Sequence, residues 1–234
     1  MILNKRKVGR IIMKNTKILE MLNNGKIEEL KCILEDEIYN DNLKGNGTAT
    51  KRYTAMKRYF KNVKNDSRKF MNYPGTNISV DGVSYNAFCD SFCITLTTES
   101  VGQMETTDDY LNIEPMFNIS NYKTATASVD LNKVLAEAKA KGYKYKVSEI
   151  GNNPNFTYAF KFKDGFYKIG LLDKAFSIIN DGEKAEVTYL GTKKAPLYIS
   201  TSLGKVLLLP FNAEADVMEK KIVIDVNKIL DAVA

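Results

Sequence analysis

The chain has 234 residues, of which 44% are hydrophobic, 26% charged and 10% aromatic. That make-up supports one or two folded domains and argues against a disordered chain. It has no histidine, which removes imidazole from general-base catalysis, from Ser-His-Asp and Cys-His nucleophile sets, and from metal ligation.

The net charge of +6 is unevenly spread. Residues 1–75 hold 17 Lys/Arg against 8 Asp/Glu, and the remainder holds 17 against 20. Within the basic third, residues 13–49 are slightly acidic. The excess sits in a leader (Lys5, Arg6, Lys7, Arg10) and in residues 51–69, with eight basic residues and one acid. A concentrated basic segment is a footprint for a polyanion, whereas an even excess serves only solubility.

The leader is basic and lacks the apolar stretch of a signal peptide, so it reads as an arm or as a segment upstream of a second Met at position 13. No apolar run reaches the length of a membrane span. A cytoplasmic location is expected, and with it no glycan at the four Asn-x-Ser/Thr triplets. Cys32, Cys89 and Cys93 are too few for a disulfide framework. Read as one strand, Phe88 to Leu96 places Cys89 and Cys93 on one face, roughly 13 Å apart, too far for a bond. Both are expected to be buried thiols.

Residues 16–24 read as a short helix stopped by Gly25. Residues 26–44 read as a longer one, with Ile27, Leu30, Ile33, Leu34 and Ile38 at helical spacing. The two form an expected helical hairpin, followed by a linker at 45–51 that lacks the spacing of a phosphate-binding loop. Residues 50–65 read as a third helix. Tyr53, Met56, Tyr59, Phe60 and Val63 fall on one side and Lys57, Lys61 and Lys64 on the other, flanked by Arg58 and Lys51. An ordinary solvated face is the plain reading, and a face held against phosphates is the sharper one.

Strands are then expected over 69–73, 77–80 and 83–96, with Asp81-Gly82 as a hairpin turn. Residues 98–129 are less regular. Their Glu105, Asp108, Asp109 and Glu114 match no calcium-loop spacing and read as a solvated acidic loop. Asp130 caps a helix over 131–141 closed by Gly142, whose Lys133, Lys139 and Lys141 are scattered round the wheel. A strand over 143–150 and a hairpin over 158–169 turning at Asp164-Gly165 follow. Next come a helix over 171–179 and strands over 185–190, 196–201 and 205–211. Residues 213–234 form a tail with a strand at 221–225 and a helical turn from Val226.

The order of helix and three strands recurs, at 50–96 and again at 157–211. Leu171-Leu-Asp-Lys-Ala-Phe-Ser-Ile-Ile179, Ala195-Pro-Leu-Tyr-Ile199 and Gly204-Lys-Val-Leu-Leu-Leu-Pro-Phe211 resemble the last part of bacterial β-type DNA sliding clamps and their short phage or prophage relatives. Residues 69–95 are similar to the opening of such a domain.

The resemblance implies an α+β fold with one DNA-clamp-like domain, its helices packed on antiparallel sheets. It spans 50–212, with an inserted segment around 98–156. The leader and hairpin (1–49) would precede it and a C-terminal extension (213–234) would follow. It further implies a non-enzymatic processivity-type replication accessory of a phage, prophage or mobile element, without cofactor, catalytic residue or metal.

Lys51, Arg52, Lys57, Arg58, Lys61, Lys64 and Arg68 would contact duplex DNA, and Leu209 and Pro210 would border a groove for a partner peptide. A DNA polymerase or other replication protein is the implied partner. Family members carry several such domains per chain and this chain carries about one, so a ring would need a homo-oligomer. The alternative is a protein-interaction adaptor that does not encircle DNA. An enzyme using the acidic loop is the least supported class.

Overall fold

The structure, a computed structural model, describes residues 15–43, 45–60, 68–120, 122, 124–144, 157–211 and 221–231. The chain divides into two units, residues 1–50 with 102–104, and residues 51–101 with 105–234.

In the first unit, α1 (15–23) and α2 (Ile27–Asn42) are helices separated by a short turn. Gly25 takes φ +68° there, and the Gly25 and Lys26 N–H groups donate to the carbonyls of Leu22 and Met21 at 3.1 and 2.9 Å. This left-handed cap satisfies carbonyls that the end of α1 would otherwise orphan. The expected linker at 45–51 is instead largely helix. Asn46 accepts from the Ala49 N–H at 3.0 Å and starts α3 (Gly47–Tyr59), which crosses from one unit into the other.

The second unit is built on a seven-stranded antiparallel sheet. Its strands are β1 (Gly75–Val80), β2 (Val83–Asp90), β3 (Cys93–Thr97), β4 (Ala125–Val129), β7 (Ala185–Tyr189), β8 (Leu197–Thr201) and β9 (Gly204–Leu208), in the order β1-β2-β3-β9-β8-β7-β4. Asp81 and Gly82 both have positive φ, 53° and 75°, which matches the twist of the β1–β2 hairpin.

The expected strand over 83–96 is two strands. The Asp90 carboxylate accepts the Phe92 N–H at 2.8 Å and folds Ser91-Phe92 into a turn. Cys89 therefore lies opposite Ile94 and Cys93 opposite Asp90, so the two thiols point to opposite faces rather than one. The expected strand at 69–73 is a 3-10 turn over Lys69–Met71.

Strand alternation gives the sheet two covered faces. On one, Ala87, Cys89, Leu96 and Leu207 pack beneath the irregular segment after β3, which sends Ile113 and Phe117 inward at the short α4 (Glu114–Phe117). The acids Glu105, Asp108, Asp109 and Glu114 face solvent there. The last residues of the segment expected to be irregular form β4, which extends the sheet beside β7. Asp130 caps α5 (Leu131–Ala140), accepting the Lys133 N–H at 3.0 Å.

Strands β5 (Tyr158–Phe162) and β6 (Gly165–Lys168) form a second, smaller sheet, turning at Lys163-Asp164, one residue earlier than Asp164-Gly165. Strand β10 (Ile222–Asp225) joins it in parallel to β5, followed by α7 (Val226–Asp231). The described part of the tail thus pairs within its own chain. The strand expected at 143–150 lies largely outside the described residues.

Helix α6 (Ile169–Ile179) packs on β3 and β9 of the large sheet and on β5 and β6 of the small one. Every residue of it but Ser177 is buried, as a helix covered all round requires. At the start of β9, Gly204 lies against the Leu96 carbonyl, and an added Cβ would also come within 2.7 Å of Ile179 Cγ2. Gly204→Ala should therefore cost about 2 kcal/mol or more through overpacking, read as a lower urea midpoint at unchanged slope.

Candidate nucleic-acid interface and apolar groove

Helix α3 is split by side-chain type. Tyr53, Met56 and Tyr59 are buried, while Lys51, Lys57 and Arg58 are exposed. The Tyr59 ring packs edge-on to Phe60 and tilts against Phe88 of β2, at centroid distances of 5.1 and 5.4 Å. Its hydroxyl donates toward the Phe88 and Cys93 carbonyls at 3.4 Å. Burial, aided by the Asp90 charge, holds this phenol well above its ordinary range, so it serves as a neutral anchor. Lys57 Nζ sits 5.3 Å from the Tyr53 ring centroid, a contact that leaves its position exposed.

Arg52 departs from the expected set. It is only 9% exposed, with Nη2 on Glu99 Oε1 at 2.9 Å and Nη1 on the Asn180 carbonyl at 3.3 Å. The wheel explains this placement: Arg52 precedes Met56 by four residues and Tyr59 by seven, which puts it on the buried side. Its charge ties α3 to the end of α6 and to the segment after β3. Lys61 and Lys64 lie outside the described residues.

Arg58 lines a cleft of about 280 Å³ with Ala55, Lys139, Asp173, Lys174 and Ser177. Lys139 of α5, which looked scattered on its own wheel, thus shares a cleft with Arg58, and no spacing within either helix signals it. Tyr143 donates to Asp173 Oδ2 at 3.2 Å and Ser177 to the Asp173 carbonyl at 2.5 Å. Lys174 is buried, with its ammonium on Asp90 Oδ2 at 2.7 Å and 3.7 Å from the Tyr59 ring centroid.

Arg68 is exposed but does not join α3. Its guanidinium lies 5.8 Å from the Phe70 ring centroid, at the border of an apolar groove of about 310 Å³. Phe70 and Met71 from the 3-10 turn, Leu111 and Met116 from the irregular segment, and Leu207 and Leu209 from β9 and beyond supply its walls. The Leu209 N–H donates to the Phe92 carbonyl at 2.9 Å, which fixes this residue beside the β2–β3 turn. Leu111, Met116 and Leu209 are exposed large hydrophobics. Pro210 is half-buried and is not one of the groove's lining residues. Four separate chain segments line this groove, residues 68–71, 89–94, 111–116 and 207–209, so the sequence signalled only the Leu209 end of it.

Cys89 also lines the groove, and its thiol is pushed up to about 12 by burial and then by the Asp90 charge. Burial pushes the Cys93 thiol up as well. Among the described residues, no group of three or more His, Cys, Asp and Glu side chains could hold a metal ion, and no helix is long and apolar enough to cross a membrane.

No protein-family model matches the chain, and no curated protein does. A solved structure from Eubacterium rectale ATCC 33656, described as a DNA polymerase III beta subunit, is similar to it at 14% identity and a TM-score of 0.43. The likeness covers 71% of this chain and 64% of that one, less than two thirds of its length.

Two outcomes check this geometry. Asp90→Ala leaves the Lys174 ammonium buried without its carboxylate and should cost about 3–5 kcal/mol, with Lys174→Met in the same chain recovering part of that loss in urea melts. At pH 8, iodoacetamide should label the exposed Cys32 in the native protein, and reach Cys89 and Cys93 only after denaturation, as mass spectrometry would show.

Proposed function

We propose that the protein is a non-enzymatic, clamp-like DNA replication accessory of a phage, prophage or other mobile element, contacting duplex DNA through α3. The carrying observation is the split of that helix: an apolar side anchored by Tyr53, Met56 and Tyr59, and Lys51, Lys57 and Arg58 held outward. Long basic side chains on a rigid helix suit sequence-neutral phosphate contacts, which need no base readout. Lys139, across the cleft from Arg58, would add a contact from α5. Arg52, engaged with Glu99, contributes by holding α3 in place. Encirclement of DNA would require several copies of the chain, acting in the cytoplasm with a polymerase or another replication protein.

The test is binding of a labelled duplex of unrelated sequence across a salt series. The wild-type chain should bind more weakly as salt rises. Replacing Lys57, Lys61 and Lys64 by Glu should weaken binding more than about tenfold and flatten the salt slope. Unchanged binding by this variant would sink the assignment of α3.

The apolar groove favours a second reading, a protein-interaction adaptor on the same fold. A short peptide with two or three large apolar side chains would fill about 310 Å³ beside Leu111, Met116 and Leu209. Leu209→Asp should abolish capture of such peptides while leaving duplex binding intact. Capture without any duplex affinity at low salt would put the adaptor reading first.

A further inference from the structure

The seven-stranded sheet ends in β1 on one side and β4 on the other. An open edge presents unpaired backbone N–H and C=O groups, and proteins blunt such edges with charges, prolines, bulges or cover. Edge β1 has two of these devices. Its register slips between Gly75 and Ile78, where Asn77 takes φ +55°, and Gly75 is bridged by Thr107. Among the described residues, edge β4 has none. Its sequence, Ala125-Thr-Ala-Ser-Val129, contains no charge and no proline, and its five residues pair with β7 in unbroken register. Among the described residues, β4 pairs with no other strand and no further backbone hydrogen bond reaches it. Ala125, Thr126 and Ser128 are exposed.

What complements such an edge is another extended strand, and the side chains of β4 say which one. A foreign strand is selected by pockets that take its alternate side chains. β4 offers only small, uncharged residues, and the hollow beside Ala125 is rimmed by charges of both signs, Lys161, Lys163 and Asp164. The edge is, however, complementary to itself. Run antiparallel about Ala127, two copies set Thr126 against Ser128 and Ala125 against Val129, so small side chains meet and no like charges face each other. Glu186, beside Ser128 on β7, would lie three strand spacings from its symmetry mate. That is at least about 14 Å, beyond the screening length at physiological salt. Pairing with β1 of another copy would use only the residues after the bulge, Ile78 to Val80, and leave part of β4 open.

We propose that β4 is the dimerisation edge of this protein: two copies pair their β4 strands antiparallel about a two-fold axis at Ala127, joining their large sheets into one. Such a pairing closes on itself, unlike a head-to-tail ring. It is independent of DNA contact by α3 and of the groove at Leu209.

The test starts from the mass of the full chain by light scattering across a dilution series, which should show two chains giving way to one. Thr126→Lys with Ser128→Lys sets like charges opposite each other in this register and should weaken the dimer about tenfold or more. Thr126→Glu with Ser128→Lys makes the same positions complementary and should restore it. Both variants should keep the circular dichroism spectrum of the wild type. Hydrogen exchange of the wild-type chain needs no variant: amides of residues 125–129 should gain protection as protein concentration rises. A single chain at every concentration would overturn the proposal. So would an assembly larger than two, since the partner edge would then be β1. Equal dimerisation of the two charge variants, or protection of β4 that ignores concentration, would overturn it as well.

Discussion

A lysine ammonium with almost no access to water sits where three elements of the second unit meet. Lys174 projects from α6, bonds the Asp90 carboxylate at the β2–β3 turn, and lies against the Tyr59 ring of α3. Each partner answers a different part of the desolvation cost: Asp90 neutralises the charge, and the aromatic face offers its negative quadrupole. A hydrophobic residue could fill the same volume without specifying which elements must be adjacent. A shift of the β2–β3 turn would leave the ammonium without its carboxylate, and a shift of α3 would remove the aromatic face from it. The placement of the basic helix therefore depends on a residue that is not itself on the basic face.

Helix α6 sets the scale of the rest. It touches both the seven-stranded and the three-stranded sheet, and apart from Ser177 at the cleft every residue of it is buried. On the proposed reading, contact with a polyanion falls to α3, and at its cleft to α5. The opposite face of the large sheet is covered by the segment carrying Ile113 and Phe117. Where that cover ends, near Leu111 and Met116, the sheet surface stays open as the groove. Basic helix and apolar groove are thus consequences of one sheet having two differently covered faces.

Several local features were legible in the sequence because local chemistry decides them. Asp81-Gly82 turns where a hairpin needs two positive φ values, Asp130 caps α5, and the apolar side of α3 is the side that is buried. Other features were misread for an identifiable reason. Cys89 and Cys93 looked co-facial until the Asp90 side chain turned the backbone between them. Arg52 counted as basic, yet its position on the wheel already aligned it with Met56 and Tyr59. Lys139 looked isolated on its own helix and became a neighbour of Arg58 only across α6.

What the sequence by itself determined is the alphabet of elements, the clustering of positive charge at 51–69 and the absence of imidazole chemistry, since these depend on composition and on spacing within a few residues. Which charges are available was decided by tertiary structure alone. Arg52, Lys168 and Lys174 read like any other basic residue, and folding buries all three. The groove was decided in the same way, because its walls come from residues 68–71, 89–94, 111–116 and 207–209. No pattern along the chain can report a contact between such distant segments. Their meeting is set by the pairing of β3 with β9 and by the apolar side chains that must leave water together.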